Sequence, residues 1–332
     1  MTYAKNGLIQ AADYNNYVGV SPGSTANQLN TVFAIGNGRS GLGQTAVAQV
    51  VANSSAFKVT AAQWNSLING VSLSAGHQGS TVTSIAVNSV GDLIVATLAG
   101  SPTPSSVFAT NLNTIYVNRN NCAAQGASST TATAQATTWQ NALTFTHTVT
   151  FESGDKARYF FNAGGQIAFS FSHPSGTNVN TLWNTLATAC GTVSLSSPDS
   201  GTVNITGSVF AGVTKSGGSG TPATLSTNTG YYALTSTNQE IFKQLAATGP
   251  AGYTSSYIGL SVKTNGTQGV NGDKGTVLTF TTVWDEIPNG GGTAVGTASA
   301  GSTVNCTIKP PGTSYIANTW GTIAVTGSVT GS

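Results

Sequence analysis

Apolar and polar positions alternate strictly between Leu143 and Phe151. Leu143, Phe145, His147, Val149 and Phe151 fall on one face, and Thr144, Thr146, Thr148 and Thr150 on the other. A period of two over this length predicts a half-buried strand, with β-branched threonine suited to the outer face. Glu152-Ser-Gly-Asp155 supplies turn chemistry, Ala157 to Phe161 reads as a second extended run, Asn162-Ala-Gly-Gly165 turns again, and Ile167, Phe169 and Phe171 alternate as a third strand. Three strands joined by Gly-containing turns make a β-meander. Six of the twelve phenylalanines lie in it, so the core is expected here.

Before this stretch the pattern changes period. Ile9-Gln-Ala-Ala-Asp-Tyr14-Asn15-Asn-Tyr17-Val18 lines up with Val59-Thr-Ala-Ala-Gln-Trp64-Asn65-Ser-Leu67-Ile68. In the second copy Thr60 and Gln63 form a capping-box pair, and Trp64, Leu67, Ile68 and Val71 follow at helical spacing. Two similar short helices, with the Gly-rich segment Gly36 to Gly43 between them, indicate an internal duplication whose two aromatic residues, Tyr14 and Trp64, should pack on a common neighbour. Val90 to Leu98 is apolar, with Asp92 near its start. Phe108, Leu112 and Ile115 predict a helix from about Val107 to Cys122, N-capped by Ser105 or Ser106. Gln125 to Thr137, built from Gly, Ala, Ser, Thr and Gln, reads as a linker. After the meander, Trp183 and Leu186 mark a short helix or turn. Gly191 to Leu195 and Gly201 to Val209 read as a hairpin around Ser197-Pro-Asp-Ser200. Gln239 to Ala246 reads as a short helix carrying Lys243. Ile258 to Val262, Thr276 to Trp284, Thr303 to Ile308 and Gly321 to Val329 read as strands, the last echoing 201–209. The expected fold is mainly β with some α: a short-helix N-terminal region over 1–137, serving assembly or attachment, followed by a C-terminal β-sandwich over 138–332.

The segment Ser153 to Ser172, SGDKARYFFNAGGQIAFSFS, resembles the hallmark segment of a family of tailed-bacteriophage virion structural proteins, the tail-fibre-like or appendage proteins. The likeness continues in order through Asn180 to Leu186, Gly230 to Phe242, Tyr257 to Gly266 and Gly272 to Phe280, and the N-terminal segments around Tyr14 and Trp64 are also similar. The resemblance implies a virion component assembled in the host bacterial cytoplasm without saying which part of the particle, and the expected place is a tail- or neck-associated fibre or appendage. Its partners would be further copies in a symmetric homo-oligomer, other virion proteins and a host surface glycan.

Composition agrees. Charged residues are 6% of the 332, so Ser, Thr, Asn, Gln and Gly must solvate the surface, and few charges keep copies apart. The net charge of +2 and scattered basic residues give no basis for nucleic-acid binding. No apolar run reaches the ~20 residues of a membrane span, and the start lacks the pattern of a secretory signal. Cys122, Cys190 and Cys306 fit free buried thiols, with a Cys190–Cys306 pair left open.

Candidate chemistry is thin. Glu152 with Asp155 is the one tempting carboxylate pair for a depolymerase, yet both sit in a turn beside Lys156 and Arg158, and a solvated turn is the better reading. Asp285-Glu286 reads as a strand end and Gly272-Asp-Lys-Gly275 as a turn; Asp13, Asp199 and Glu240 join no motif. His147 points inward, His173 closes a strand and His77 follows a helix. The sequence therefore nominates no catalytic, cofactor-binding or metal-binding residue and no cofactor. The expected function is structural and non-enzymatic, with a carbohydrate-binding receptor-recognition module as the alternative.

Overall fold

The computed structural model describes residues 11–20, 26–50, 59–87, 89, 104–246 (side chains from 107), 253–269, 272–287 and 296–331. Asp92 and the apolar run from Val90 to Leu98 lie outside them, as do Ser105 and Ser106 as side chains.

The N-terminal unit is helical. It contains α1 (Ala11–Val18), α2 (Leu29–Phe33), α3 (Ala61–Gln78) and α4 (Pro104–Val117). The Thr60–Gln63 capping box forms in both directions at the start of α3. His77 lies in the last turn of α3 rather than after it. Helix α4 ends at Val117, short of Cys122, and α2 is a further short helix just ahead of the Gly36–Gly43 segment. The two similar helices share a ring neighbour, though through positions that do not correspond, since Tyr17 lines up with Leu67 and Trp64 with Tyr14. Phe108 of α4 stacks on Tyr17 of α1 at 5.4 Å and meets Trp64 of α3 edge-on at 4.8 Å. Tyr14 and Trp64 both sit in this same buried cluster. The Tyr14 hydroxyl, with one proton to share, lies 3.2 Å from the carbonyls of Ala48 and Gln63. Asparagine side chains stand in for strand neighbours here: Asn15 exchanges two hydrogen bonds with the backbone of Val50, Asn30 with Val47, and Asn111 with Thr83.

The remainder is a sandwich of two antiparallel sheets. One runs β1 (Ser129–Ala134), β12 (Thr303–Lys309), β3 (Gln166–Ser172), β4 (Thr192–Leu195), β7 (Val213–Ser216); the other runs β13 (Ala324–Gly331), β2 (Ala142–Thr150), β11 (Val277–Asp285), β10 (Tyr257–Thr264), β9 (Gln239–Leu245), β8 (Thr224–Leu225). The inner faces meet through Phe169 on Phe280 at 4.7 Å and Phe171 on Phe242 at 6.2 Å. Helix α6 (Val179–Cys190) packs against β3, β9 and β10, and its Trp183 lies between Trp139 and Trp284.

Four sequence readings change. The meander does not form, because Gly154–Asn162 is a helix, α5, that carries the chain from β2 in one sheet to β3 in the other. Ser153 caps it by accepting from the Lys156 amide at 3.1 Å, and Asp155 in the first turn suits the positive end of the helix dipole. It ends in a Schellman motif: Gly165 N donates to Phe160 O, Gly164 N to Phe161 O, and Gly164 takes φ +93. These end signals outweigh the strand preference of Tyr159, Phe160 and Phe161. Conversely, Gln239–Leu245 is a strand, paired to both β8 and β10, because a slot between two strands selects the extended form. The linker contains β1, which pairs with β12, so the sandwich takes in residues N-terminal to Thr138. The hairpin around Ser197–Ser200 is absent: β4 pairs with β3 and β7, while Val203–Ile205 (β5) turns back on Ser208–Phe210 (β6) within a single reading of one strand. Of the short helix or turn expected at Trp183 the helix forms, the strands over 258–262, 276–284 and 303–308 form to within two residues, and the one expected over 321–329 forms three residues later, from Ala324.

Candidate functional site

The densest polar arrangement joins the two units. It is built on the face of α5 that carries Asp155, Arg158 and Asn162, spaced so that a helix brings all three to one side. Arg158, 1% exposed, donates through Nη1 to the carbonyls of Gly36 and Ser40 and through Nη2 to Asp155 Oδ1 at 2.9 Å. Asn162 Nδ2 donates toward the carbonyls of Ser40 (2.9 Å), Gly41 (3.1 Å) and Gly38 (3.2 Å). The Tyr232 hydroxyl lies 2.6 Å from Asn162 Oδ1 and 2.7 Å from the Gly38 carbonyl, and burial pushes its pKa well up. From the same segment Gly38 N donates to Gly269 O, Arg39 Nη1 to Ser200 O and Arg119 Nε to Arg39 O, while Leu42 enters the sandwich core. A buried guanidinium needs its charge paired and its donors met, and here the Gly36 and Ser40 carbonyls serve Nη1 and Asp155 serves Nη2, while the buried Nε has no acceptor. The arrangement fastens the helical unit to the sandwich. Sequence reasoning missed it because the stretch read as strand and turn, which placed Arg158 in solvent; the Asp155–Arg158–Asn162 spacing was the available signal.

The residues singled out for chemistry are dispersed. Glu152 pairs with Lys156, and its oxygens also accept from Thr322 N at 2.8 Å; the lysine hydrogen bond holds its carboxyl below the usual range. Asp155 faces Arg158 and Gly272 N. Glu240 accepts from Thr224 Oγ1 at 2.7 Å. Strand β11 ends at Asp285, and Glu286 turns inward, 5% exposed, accepting from Gly296 N at 2.8 Å through Oε1, with burial pushing its pKa up. All three histidines are buried. Burial brings His77, bonded to the Ala163 carbonyl at 3.0 Å, and His147, bonded to Thr133 Oγ1 at 3.0 Å, down to about 4. His173 is also lowered, chiefly by burial. The three cysteines are free and buried, and burial pushes the Cys190 and Cys306 thiols up to about 12. Among the described residues no group of three His, Cys, Asp or Glu side chains could hold a metal ion, and no helix is long and apolar enough to cross a membrane.

One open cleft of about 410 Å³ lies at the start of α6, lined by Thr177, Asn178, Val179, Asn180, Tyr253, Gly296 and Thr297. Its floor is fixed by a chain of hydrogen bonds. Trp139 Nε1 donates to Ser302 Oγ, which bonds His173 Nδ1, and His173 Nε2 bonds Asn180 Oδ1, which also accepts from Ser299 N. Amides, hydroxyls and one half-buried tyrosine ring suit a neutral polyhydroxyl ligand better than an ion. Compared with protein-family models, curated proteins and solved structures, the chain matches none.

Proposed function

We propose that this chain is a structural component of a tailed-phage virion, a tail- or neck-associated fibre or appendage subunit that works through oligomeric packing. The observation that supports it best is where the family-like segments fall. Ser153 to Ser172 builds α5 and β3, Asn180 to Leu186 lies in α6, Gly230 to Phe242 runs into β9, and the last two segments run through β10 and β11. The resemblance thus follows the frame of the sandwich and its fastening to the helices, as expected of a subunit whose product is a shape. The test is mass spectrometry and immunogold labelling of gradient-purified particles. Presence at a copy number that is a multiple of three, five, six or twelve is expected; absence from the particle overturns the reading.

A second reading, host-glycan recognition, draws on the cleft beside α6, whose lining of Thr177, Asn178, Asn180, Thr297 and Tyr253 offers hydrogen bonds and one ring. Binding on a glycan array that Tyr253→Ala abolishes would support it, and an array without signal would remove it.

A further inference from the structure

The two flanks of the sandwich are finished differently. At one, the outermost strands are β7, four residues with Lys215, and β8, two residues long. Short edges and a lysine are ordinary ways of discouraging a sheet from pairing with another chain. At the other flank the outermost strands are β1, STTATA, and β13, AVTGSVTG. Neither carries a charge or a proline, and six of the eight β13 residues are exposed. Among the described residues, strand β13 pairs with β2 alone. Val325 and Val329 turn toward the core, Gly327 lies over Thr133 and His147, and Ala324, Thr326, Ser328 and Thr330 face outward.

We propose that β13 is the self-pairing edge of this protein: two copies join antiparallel through it, continuing the six-stranded sheet of each into the other. The proposal rests on the reading of the chain as an assembling subunit and names the surface it uses. The occupant is a second copy because the edge is self-complementary. Without formal charge it offers nothing to a charged partner, and like meets like without repulsion. The register follows from geometry. A strand turns its N–H and C=O groups to a given side only at alternate residues, so the two-fold axis of an identical antiparallel pair must pass beside a residue. An axis at Gly327 sets Val325 opposite Val329 of the partner subunit, a β-branched pair on the core face made twice, and sets Thr326 opposite Ser328 of the partner subunit on the outer face. An axis at Ser328 would set each valine against glycine, which forfeits that packing.

The test is sedimentation velocity on the full chain over a concentration series, with two double variants at exposed outward positions. Thr326→Lys with Ser328→Lys places like charges opposite each other across the axis and should weaken association by roughly tenfold or more. Thr326→Lys with Ser328→Glu places opposite charges there and should restore it. Far-UV circular dichroism and melting of both variants establish that each is folded. A monomeric wild-type chain, an unaffected double-lysine variant, or equal loss in both variants overturns the proposal. The outcome is independent of the particle assay: a chain found in particles but indifferent to these charges keeps its virion role and loses this edge, and the converse result keeps the edge alone.

Discussion

Phe169 and Arg158 show what a buried side chain does inside the sandwich and at its junction with the helical unit. Phe169 lies between the sheets, 4.7 Å from Phe280 and 5.7 Å from His147, and is 1% exposed. Phe169→Ala removes a ring from a close-packed site and should cost about 3–5 kcal/mol, measured by denaturant unfolding. Arg158 contributes differently. Arg158→Ala leaves the Gly36 carbonyl without its donor, the Ser40 carbonyl with Asn162 alone, and Asp155 without its cation, so a loss of about 3 kcal/mol is expected. Arg158→Lys should recover only part of it, because an ammonium cannot reproduce the planar fork. A melt unchanged by Arg158→Ala would mean that the fastening carries no energy.

At the scale of elements, two closely similar segments adopt two structures. Gly201-Thr-Val-Asn-Ile-Thr-Gly-Ser-Val209 turns at Thr206 and Gly207, both at positive φ (52° and 80°), and pairs β5 with β6. Its echo Gly321-Thr-Ile-Ala-Val-Thr-Gly-Ser-Val329 stays extended through the same Thr-Gly and pairs with β2. The Thr-Gly step permits a tight turn but does not demand one; a waiting strand decides. The two glycines should respond unequally. A Cβ on Gly207 meets open space, so Gly207→Ala costs only the left-handed backbone strain, about 1–2 kcal/mol. A Cβ on Gly327 would collide with Thr133 Oγ1 and press on His147, so Gly327→Ala must either turn the Thr133 hydroxyl away from His147 or shift β13 off β1. Gly327→Ala should lower the melting temperature more, although its backbone is the ordinary one.

For the whole molecule, the histidines set an acid limit. His77 and His147 are neutral when folded, with pKa values of about 4, and their unfolded forms take up a proton near 6.5. Below that value the unfolded chain binds more protons than the folded one, so stability is fully present above pH 6.5 and falls as the pH drops toward 4. Each histidine contributes about 3 kcal/mol to that loss. Denaturant midpoints measured between pH 7.5 and 4 should decline steeply, and His147→Gln with His77→Gln should flatten the profile even if both lower stability at pH 7.5. A profile equally steep in the double variant would place the acid sensitivity elsewhere. Both residues sit at junctions: His77 of α3 bonds the Ala163 carbonyl at the end of α5, and His147 of β2 bonds Thr133 of β1. Acid should therefore loosen the joints between parts before it dissolves the parts.

The sequence by itself determined what local signals can determine. Strict alternation places β2, β10, β11 and β12, and a capping box with helical spacing places α3, because such elements are specified by their own residues. The aromatic-Asn pairs mark α1 and α3 as similar segments, but that Phe108 takes Tyr17 from one and Trp64 from the other, at positions that do not correspond, was set by how the helices pack. Tertiary structure decided the rest wherever two conformations were close in local energy. Gln239–Leu245, apolar and aromatic enough for either, became a strand because β8 and β10 flank it. Ser129–Ala134, too polar to announce itself, became β1 because β12 left an edge open. The α5 stretch was helical by its end signals, yet only the Gly36–Gly43 carbonyls, more than a hundred residues away in the chain, make a buried Arg158 stable there. Local periodicity reports which face is apolar, whereas partners distant in sequence decide what an ambiguous or charged segment can afford to become.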